Sequence, residues 1–294
     1  MKYKDICFYN YFGNGDLFNS RGFVQYFMNK LPETNFYYAH PKNSRIFEDM
    51  ENLKYSPIIS NLMIGGKHLV IGQESDLYLN TWIGLDSRYV LPGIGCTLEK
   101  YFQLWKMLVR VSNLEIILEE DLNNYIPTID YFKIKYTNNV NKFLSNLQFG
   151  KLVLISNGDV FSNQANNFDF STIIDKLVKE YNDIVFIITQ PINHNYINLF
   201  TTKDIIKSED DIDLNEISYL SLFCDTIIGR SSGPYVFTQV KENFEDENKK
   251  FLSFTYHKNA ANFLINVKTK AQKYWSNATN VEDVYNNIVE VLEK

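Results

Sequence analysis

The chain has 294 residues, a formal net charge of −6 and a pI near 5.3, with 45% hydrophobic and 15% aromatic residues. That length exceeds one ordinary core and fits two domains, and the apolar content suffices to bury both. An acidic chain lacks the basic face of a general nucleic-acid binder, so no nucleic-acid partner is expected.

The N-terminus, Met1-Lys-Tyr-Lys-Asp-Ile-Cys-Phe8, has no signal-peptide apolar core, and no run reaches the roughly 18 apolar residues of a membrane span. Cys7, Cys96 and Cys224 are scattered without metal-ligand spacing, which suits a reducing compartment. A cytoplasmic protein is expected, with weak peripheral membrane contact as the only link to a bilayer.

Residues 6–9 form a short apolar run and predict the first strand, and the turn Phe12-Gly-Asn-Gly-Asp16 follows. From 17 to 31 the apolar residues recur at helical spacing until Pro32 stops them, and 35–39 reads as a second strand. Short strands are expected at 67–72 and 76–83, a loop at Pro92-Gly93-Ile94-Gly95, and a helix over 98–111. A helix over 134–147 reads as a bridge, dividing the chain into domains 1–147 and 148–294.

The second half repeats the alternation. Strands are predicted at 152–156, 184–189, 204–207, 226–229 and, last, 251–256. Helices are predicted at 172–181, 214–223 and 281–292, the closing one free to pack back on the first domain. Strands alternating with helices predict an α/β chain with doubly wound parallel sheets.

Two turns carry the chemistry. After 226–229 come Arg230, Ser231, Ser232, Gly233 and Pro234, with proline at a first-turn position where its missing N–H costs nothing. Free N–H groups, hydroxyls and an arginine charge suit a phosphate. In the first half, Asp16 lies just past a strand's C-terminal end, where a carboxylate can act as general base, with Gly13 and Gly15 shaping the turn. The competing role for Asp16 is a helix cap. Arg21, one turn further, is a candidate substrate contact, and Trp82 a candidate stacking face for a substrate ring. Asn157, Gly158 and Gln190 end two strands of the second half and are candidates to border a nucleotide.

The acidic run 209–213 reads as a helix start, with Asp213 and Glu216 as a capping box. His40, His68, His194 and His257 lack ligand spacing, so no metal site is expected.

The stretch 213–234, a helix leading into an aspartate, a strand, a glycine, small hydroxyl residues and Gly-Pro, resembles bacterial heptosyltransferase-like glycosyltransferases. Gly15-Asp16 looks like that family's N-terminal Gly-Asp turn. The resemblance implies a GT-B fold, two Rossmann-like domains facing across a cleft, with the donor nucleotide held mainly by the second. It implies an inverting, metal-independent transfer from a nucleotide-diphosphate sugar, a co-substrate rather than a cofactor, to a glycan or lipid-linked saccharide, as in polysaccharide biosynthesis. Asp16 is then the base and the 230–234 turn the diphosphate site. The sequence departs from the family pattern where Tyr235-Val-Phe-Thr follows Gly-Pro without the usual histidine. It departs again at Ser156–Asn163, which lacks the usual lysine. Ile64-Gly65-Gly66 is similar to polysaccharide pyruvyltransferases, a second enzyme reading; a nucleotide-sugar epimerase shares the fold but needs more acid and base groups. A catalytically inactive nucleotide- or sugar-binding module is the non-enzyme reading.

Overall fold

A computed structural model describes residues 3–56, 69–71, 76–83, 97–147, 150–161, 164–258 and 267–294. The expected loop at 92–95, Gly65-Gly66, His68 and Cys96 lie outside the described residues.

The chain divides into two compact units, Met1–Asp130 and Tyr131–Lys294. The division falls earlier than the expected boundary after 147. The reason is helix α3 (Thr137–Ser145), which packs on two helices of the second unit. Its Val140 is fully buried, and Asn139 Nδ2 donates to the Ile206 carbonyl at 2.7 Å. The segment expected as a bridge is built into one unit.

In the first unit, β1 (Asp5–Tyr9) leads into α1 (Asn14–Lys30), and β2 (Asn35–Ala39) returns parallel to β1. β3 (Leu53–Ser56), β4 (Leu69–Ile71) and β5 (Leu77–Asn80) complete a sheet of order β3-β2-β1-β5-β4, parallel except for the β4–β5 pair. Alternation along β1 puts Ile6 and Phe8 on one face. The Phe8 ring there meets Phe27 of α1 and Trp105 of α2 (Thr97–Ser112), a fully buried aromatic cluster.

The second unit runs β6 (Lys151–Ser156), α4 (Phe170–Glu180), β7 (Ile184–Ile188), β8 (Leu199–Thr201), α5 (Thr202–Ile206) and α6 (Leu214–Ser221). It continues with β9 (Thr226–Arg230), α7 (Gly233–Phe237), α8 (Lys241–Glu245), β10 (Lys250–Phe254), β11 (Gln272–Ser276) and α9 (Val281–Glu293). Its six strands are all parallel, in the order β8-β7-β6-β9-β10-β11. This is the doubly wound 3-2-1-4-5-6 order of Rossmann units, and its continuous Val/Ile/Leu/Phe strands are those of a sheet covered on both faces.

Three elements differ from expectation. Residues 204–207 are not a strand: Thr201 Oγ1 accepts from the Asp204 N–H at 3.1 Å and starts α5, which Lys207 ends at φ 50°. β10 is not the last strand, because β11 pairs outside it. The closing helix, read from sequence as free to pack elsewhere, is built into its own unit: Val284, Ile288, Val291 and Leu292 lie in the core shared by α4 and the second sheet. The capping box at α6 also lacks its first half, since the Asp213 side chain makes no cap bond.

Candidate functional site

Ligands of parallel α/β sheets bind beyond the strands' C-terminal ends, where the strand order reverses. In the first sheet that point lies between β1 and β5; in the second it lies between β6 and β9. Both turns singled out by sequence fall there.

At the first sheet, Asn10 Oδ1 accepts the Phe12 N–H at 3.0 Å, and Asn80 Oδ1 accepts the Trp82 N–H at 2.9 Å. Two neighbouring strands thus end in the same asparagine turn, and Asn10 Nδ2 ties them by donating to Thr81 Oγ1 at 3.3 Å. Gly13 is the N-cap residue of α1 at φ −71°, so it contributes small size rather than a left-handed backbone; a β-carbon there would sit 3.3 Å from Asp16 Oδ2. Gly15 lies within the helix's first turn.

Asp16 is the third residue of that helix, and its Oδ2 accepts the Gly13 N–H at 3.1 Å. The cap role and the chemical role therefore coexist: one oxygen anchors the carboxylate, and the helix N-terminus favours its charge. Burial pushes the carboxyl above its ordinary range, opposed by the Gly13 and Asp16 N–H groups, the Trp82 side chain and the Lys42 charge. A half-buried carboxylate raised in this way is matched to general-base work.

Trp82 does not offer its whole face to a sugar. The Phe12 ring covers it, with centroids 3.4 Å apart and planes 16° apart, and Phe12 is itself 38% exposed. Arg21 is not a substrate contact. Its side chain is 0% exposed, paired with Asp49 and donating to the Thr128 and Ile46 carbonyls. It sits on the buried side of α1, where it pins loops of the first unit.

At the second sheet, Asn157 Oδ1 accepts the Gln190 N–H at 2.8 Å and Asn157 Nδ2 donates to the Gln190 carbonyl at 2.9 Å. Gly158 lies against Gln190, whose Cγ would be 3.3 Å from an added β-carbon. Gln190 is exposed and Asn157 and Gly158 are half-buried, so the ends of β6 and β7 form one polar ledge. Ser232 is the N-cap residue of α7, its hydroxyl 3.1 Å from that of Ser156, and Pro234 occupies the first turn as expected. Ser231, Gly233 and Pro234 are half-buried beside it.

Arg230 is the principal correction. Its side chain is 0% exposed and points away from the turn, donating to the carbonyls of Asn157, Gly158, Asn166 and Phe168. A guanidinium with its donors spent on four carbonyls is a scaffold for the loop after β6, not a phosphate contact. The turn keeps neutral donors only. Gly229, just before it, is fixed by close approach, since a β-carbon would lie 2.8 Å from Ser156 Cβ and 3.0 Å from Tyr235 Cδ2.

Among the described residues no group of three His, Cys, Asp or Glu side chains is arranged to hold a metal ion. No helix among them is long and apolar enough to cross a membrane. A small cavity on the first sheet is lined by Cys7, Tyr37, Tyr78 and two aspartates, Asp5 and Asp76. Burial pushes the Cys7 thiol up to about 12, which makes it inert.

No protein-family model matches the chain, and no curated protein matches it. Solved structures do. It is similar over 98% of its length to 98% of E. coli ADP-heptose LPS heptosyltransferase II, at 10% identity and a TM-score of 0.59. It is similar over 98% to 99% of E. coli heptosyltransferase WaaC with ADP, at 7% identity and 0.57. A glycosyl transferase family 9 protein from Veillonella parvula matches the whole chain over 91% of its own, at 12% identity and 0.55. The chain has the GT-B fold.

Within this GT-B chain, Phe12, Lys42 and the shelf formed by the Phe168 and Phe170 rings, 4.3 and 4.7 Å from the Arg230 guanidinium, were not singled out from sequence. The first had a visible signal: Asn10-Tyr-Phe12 and Asn80-Thr-Trp82 repeat one asparagine-x-aromatic pattern at the ends of adjacent GT-B strands. Lys42 and the phenylalanine shelf had none, being joined to the turns only through tertiary packing.

Proposed function

We propose that this protein is a glycosyltransferase that moves a sugar from a nucleotide-diphosphate donor to a saccharide or lipid-linked saccharide acceptor, without a metal ion and with inversion. The observation that carries the reading is Asp16, a half-buried carboxylate at the strand-order reversal of the first unit of a GT-B fold. Asp16 takes the proton from the acceptor hydroxyl as its oxygen attacks the anomeric carbon, and the nucleoside diphosphate leaves. In the second unit, the Asn157–Gln190 ledge borders the base and ribose, and Ser231, Ser232 and the Gly233 end of α7 meet the diphosphate. One of the similar structures holds ADP, which makes ADP the first nucleotide to try. A cytoplasmic enzyme of polysaccharide assembly is the setting this chemistry fits.

One finding favours a second reading, a nucleotide- or sugar-binding module without turnover: Arg230 is turned inward, and no cation of the 230–234 turn takes its place. A thermal-shift panel of ADP, UDP, GDP and CMP with their common sugar conjugates separates the two. A ligand at a hundred times its dissociation constant stabilises by about 2.7 kcal/mol. Stabilisation by one nucleoside diphosphate, with sugar transfer that Asp16→Asn abolishes, supports the transferase. Stabilisation without transfer or donor hydrolysis supports the module, and no stabilisation by any nucleotide overturns the transferase and leaves the module as a sugar binder alone.

A further inference from the structure

Phe12 and Trp82, the stacked pair at the end of the first sheet, follow different strands, β1 and β5, at the point where the strand order reverses. Each ring is set by the same device, an asparagine side chain accepting the aromatic residue's own N–H, and the two asparagine turns are tied by the Asn10–Thr81 bond. Beneath them, Thr81 Oγ1 lies 2.6 Å from the Tyr38 hydroxyl, which lies 2.7 Å from Ser20 Oγ of α1. Buried polar groups satisfied in a chain of this kind hold a structure to one arrangement. The Phe12 ring so fixed remains 38% exposed, so a set aromatic face is open to a ligand.

Its neighbour is Asp16, three residues into the helix that starts just after Phe12 and in polar contact with the Trp82 side chain. An aromatic face beside a carboxylate matches one ligand class. A pyranose ring has a face of polarised C–H bonds that the negative face of an aromatic ring attracts, and hydroxyls at its edge for a carboxylate. Phe12 is the more exposed ring of the stacked pair, and half-buried Trp82 backs it. We infer that Phe12 is the stacking platform for the acceptor's sugar ring, which makes the acceptor a pyranoside bound by its C–H face with one edge hydroxyl turned to Asp16. The inference rests on the transferase reading for its role in catalysis, but pyranoside binding is measurable without any donor.

The test is saturation-transfer NMR on the full chain with methyl β-D-glucopyranoside, methyl α-D-mannopyranoside, methyl β-D-galactopyranoside and N-acetylglucosamine. At least one probe is expected to receive saturation chiefly at the protons of one C–H face. Phe12→Ala should weaken that contact by about tenfold, as loss of a stacked ring pair would, while Phe12→Tyr keeps it. Phe12→Leu, which retains an apolar side chain without a π face, should also lose it, and covers the case in which the alanine variant fails to fold. No contact from any probe on the wild type, or an unchanged contact in Phe12→Leu, overturns the inference. A parallel titration with ADP and UDP keeps the two readings apart: absence of nucleotide binding with pyranoside contact intact overturns the donor assignment and leaves the platform standing.

Discussion

The Arg230 guanidinium lies 4.3 Å from the centre of the Phe168 ring and donates to the Phe168 backbone carbonyl. The same group reaches Asn166, Asn157 and Gly158, so one side chain at the end of β9 holds both ends of the loop that follows β6. The charge that sequence assigns to a ligand is used to build the ledge on which a ligand would rest.

Removing that side chain should therefore cost stability first. Arg230→Ala leaves four carbonyls without their donor and is expected to destabilise the second unit by about 3 kcal/mol or more. Arg230→Lys should recover less than half, because an ammonium cannot span the carbonyls that a planar fork reaches. Urea unfolding measures both. If Arg230→Ala unfolds at the wild-type midpoint yet loses nucleotide affinity, the arginine contacts the ligand after all.

Gly229→Ala tests how the 230–234 turn is positioned. The added methyl would lie 2.8 Å from Ser156 Cβ and 3.2 Å from the Ser156 carbonyl oxygen, so β6 and β9 must separate. A loss of about 2 kcal/mol is expected for overpacking of this kind. Ser156→Gly in the same chain removes the nearest clash and should restore part of the loss, a coupling that a double-mutant cycle reads directly. Strictly additive costs would place the strain elsewhere.

The two α/β halves were legible because their strands are continuous apolar runs and their helices keep a clean apolar face, as in 170–180. What was lost depended on contacts distant in sequence. Residues 204–207 carry Ile-Ile and read as a strand, but the Thr201 hydroxyl starts a helix there. β11, Gln-Lys-Tyr-Trp-Ser, sits at a sheet edge with little burial and so shows no apolar run. At the site, sequence located both turns but not the direction of the side chains. Arg21 and Arg230 each follow a glycine-bearing turn or strand end, and each is drawn inward by backbone carbonyls that no spacing rule reveals.

Asp16 gives a prediction in pH. Burial is the largest influence on its carboxyl and raises it, so the ionised form that a general base requires appears only above the ordinary carboxylate range. Transfer should rise with pH along an acidic limb displaced upward from that of an exposed aspartate. Asp16→Asn should abolish transfer without lowering stability at neutral pH, since a raised carboxyl pKa means that ionisation opposes folding. Steady-state rates from pH 4 to 8, with thermal melts of both forms, check this. Full activity in Asp16→Asn would assign the base elsewhere.

His40 provides the opposite sign. It follows β2, is 1% exposed, and its Nδ1 accepts the Lys42 N–H at 3.2 Å. Burial lowers its pKa from 6.5 to about 4, so it folds neutral. As pH falls from 6.5 towards 4 the unfolded chain takes up a proton at this position and the folded chain does not, and stability is lost across that window. A tenfold difference in proton affinity between the two states is worth about 1.4 kcal/mol, so the loss approaches roughly 3 kcal/mol once the pH is below both values. The raised carboxyl of Asp16 acts in the other direction over part of the same range, so the wild-type profile alone does not isolate His40. His40→Gln keeps an acceptor for the Lys42 N–H and removes the titration. Urea unfolding of wild type and variant at pH 7 and pH 4.5 should show the variant losing less stability between the two. Equal losses would mean that His40 is protonated in the folded protein, with water or a carboxylate reaching it.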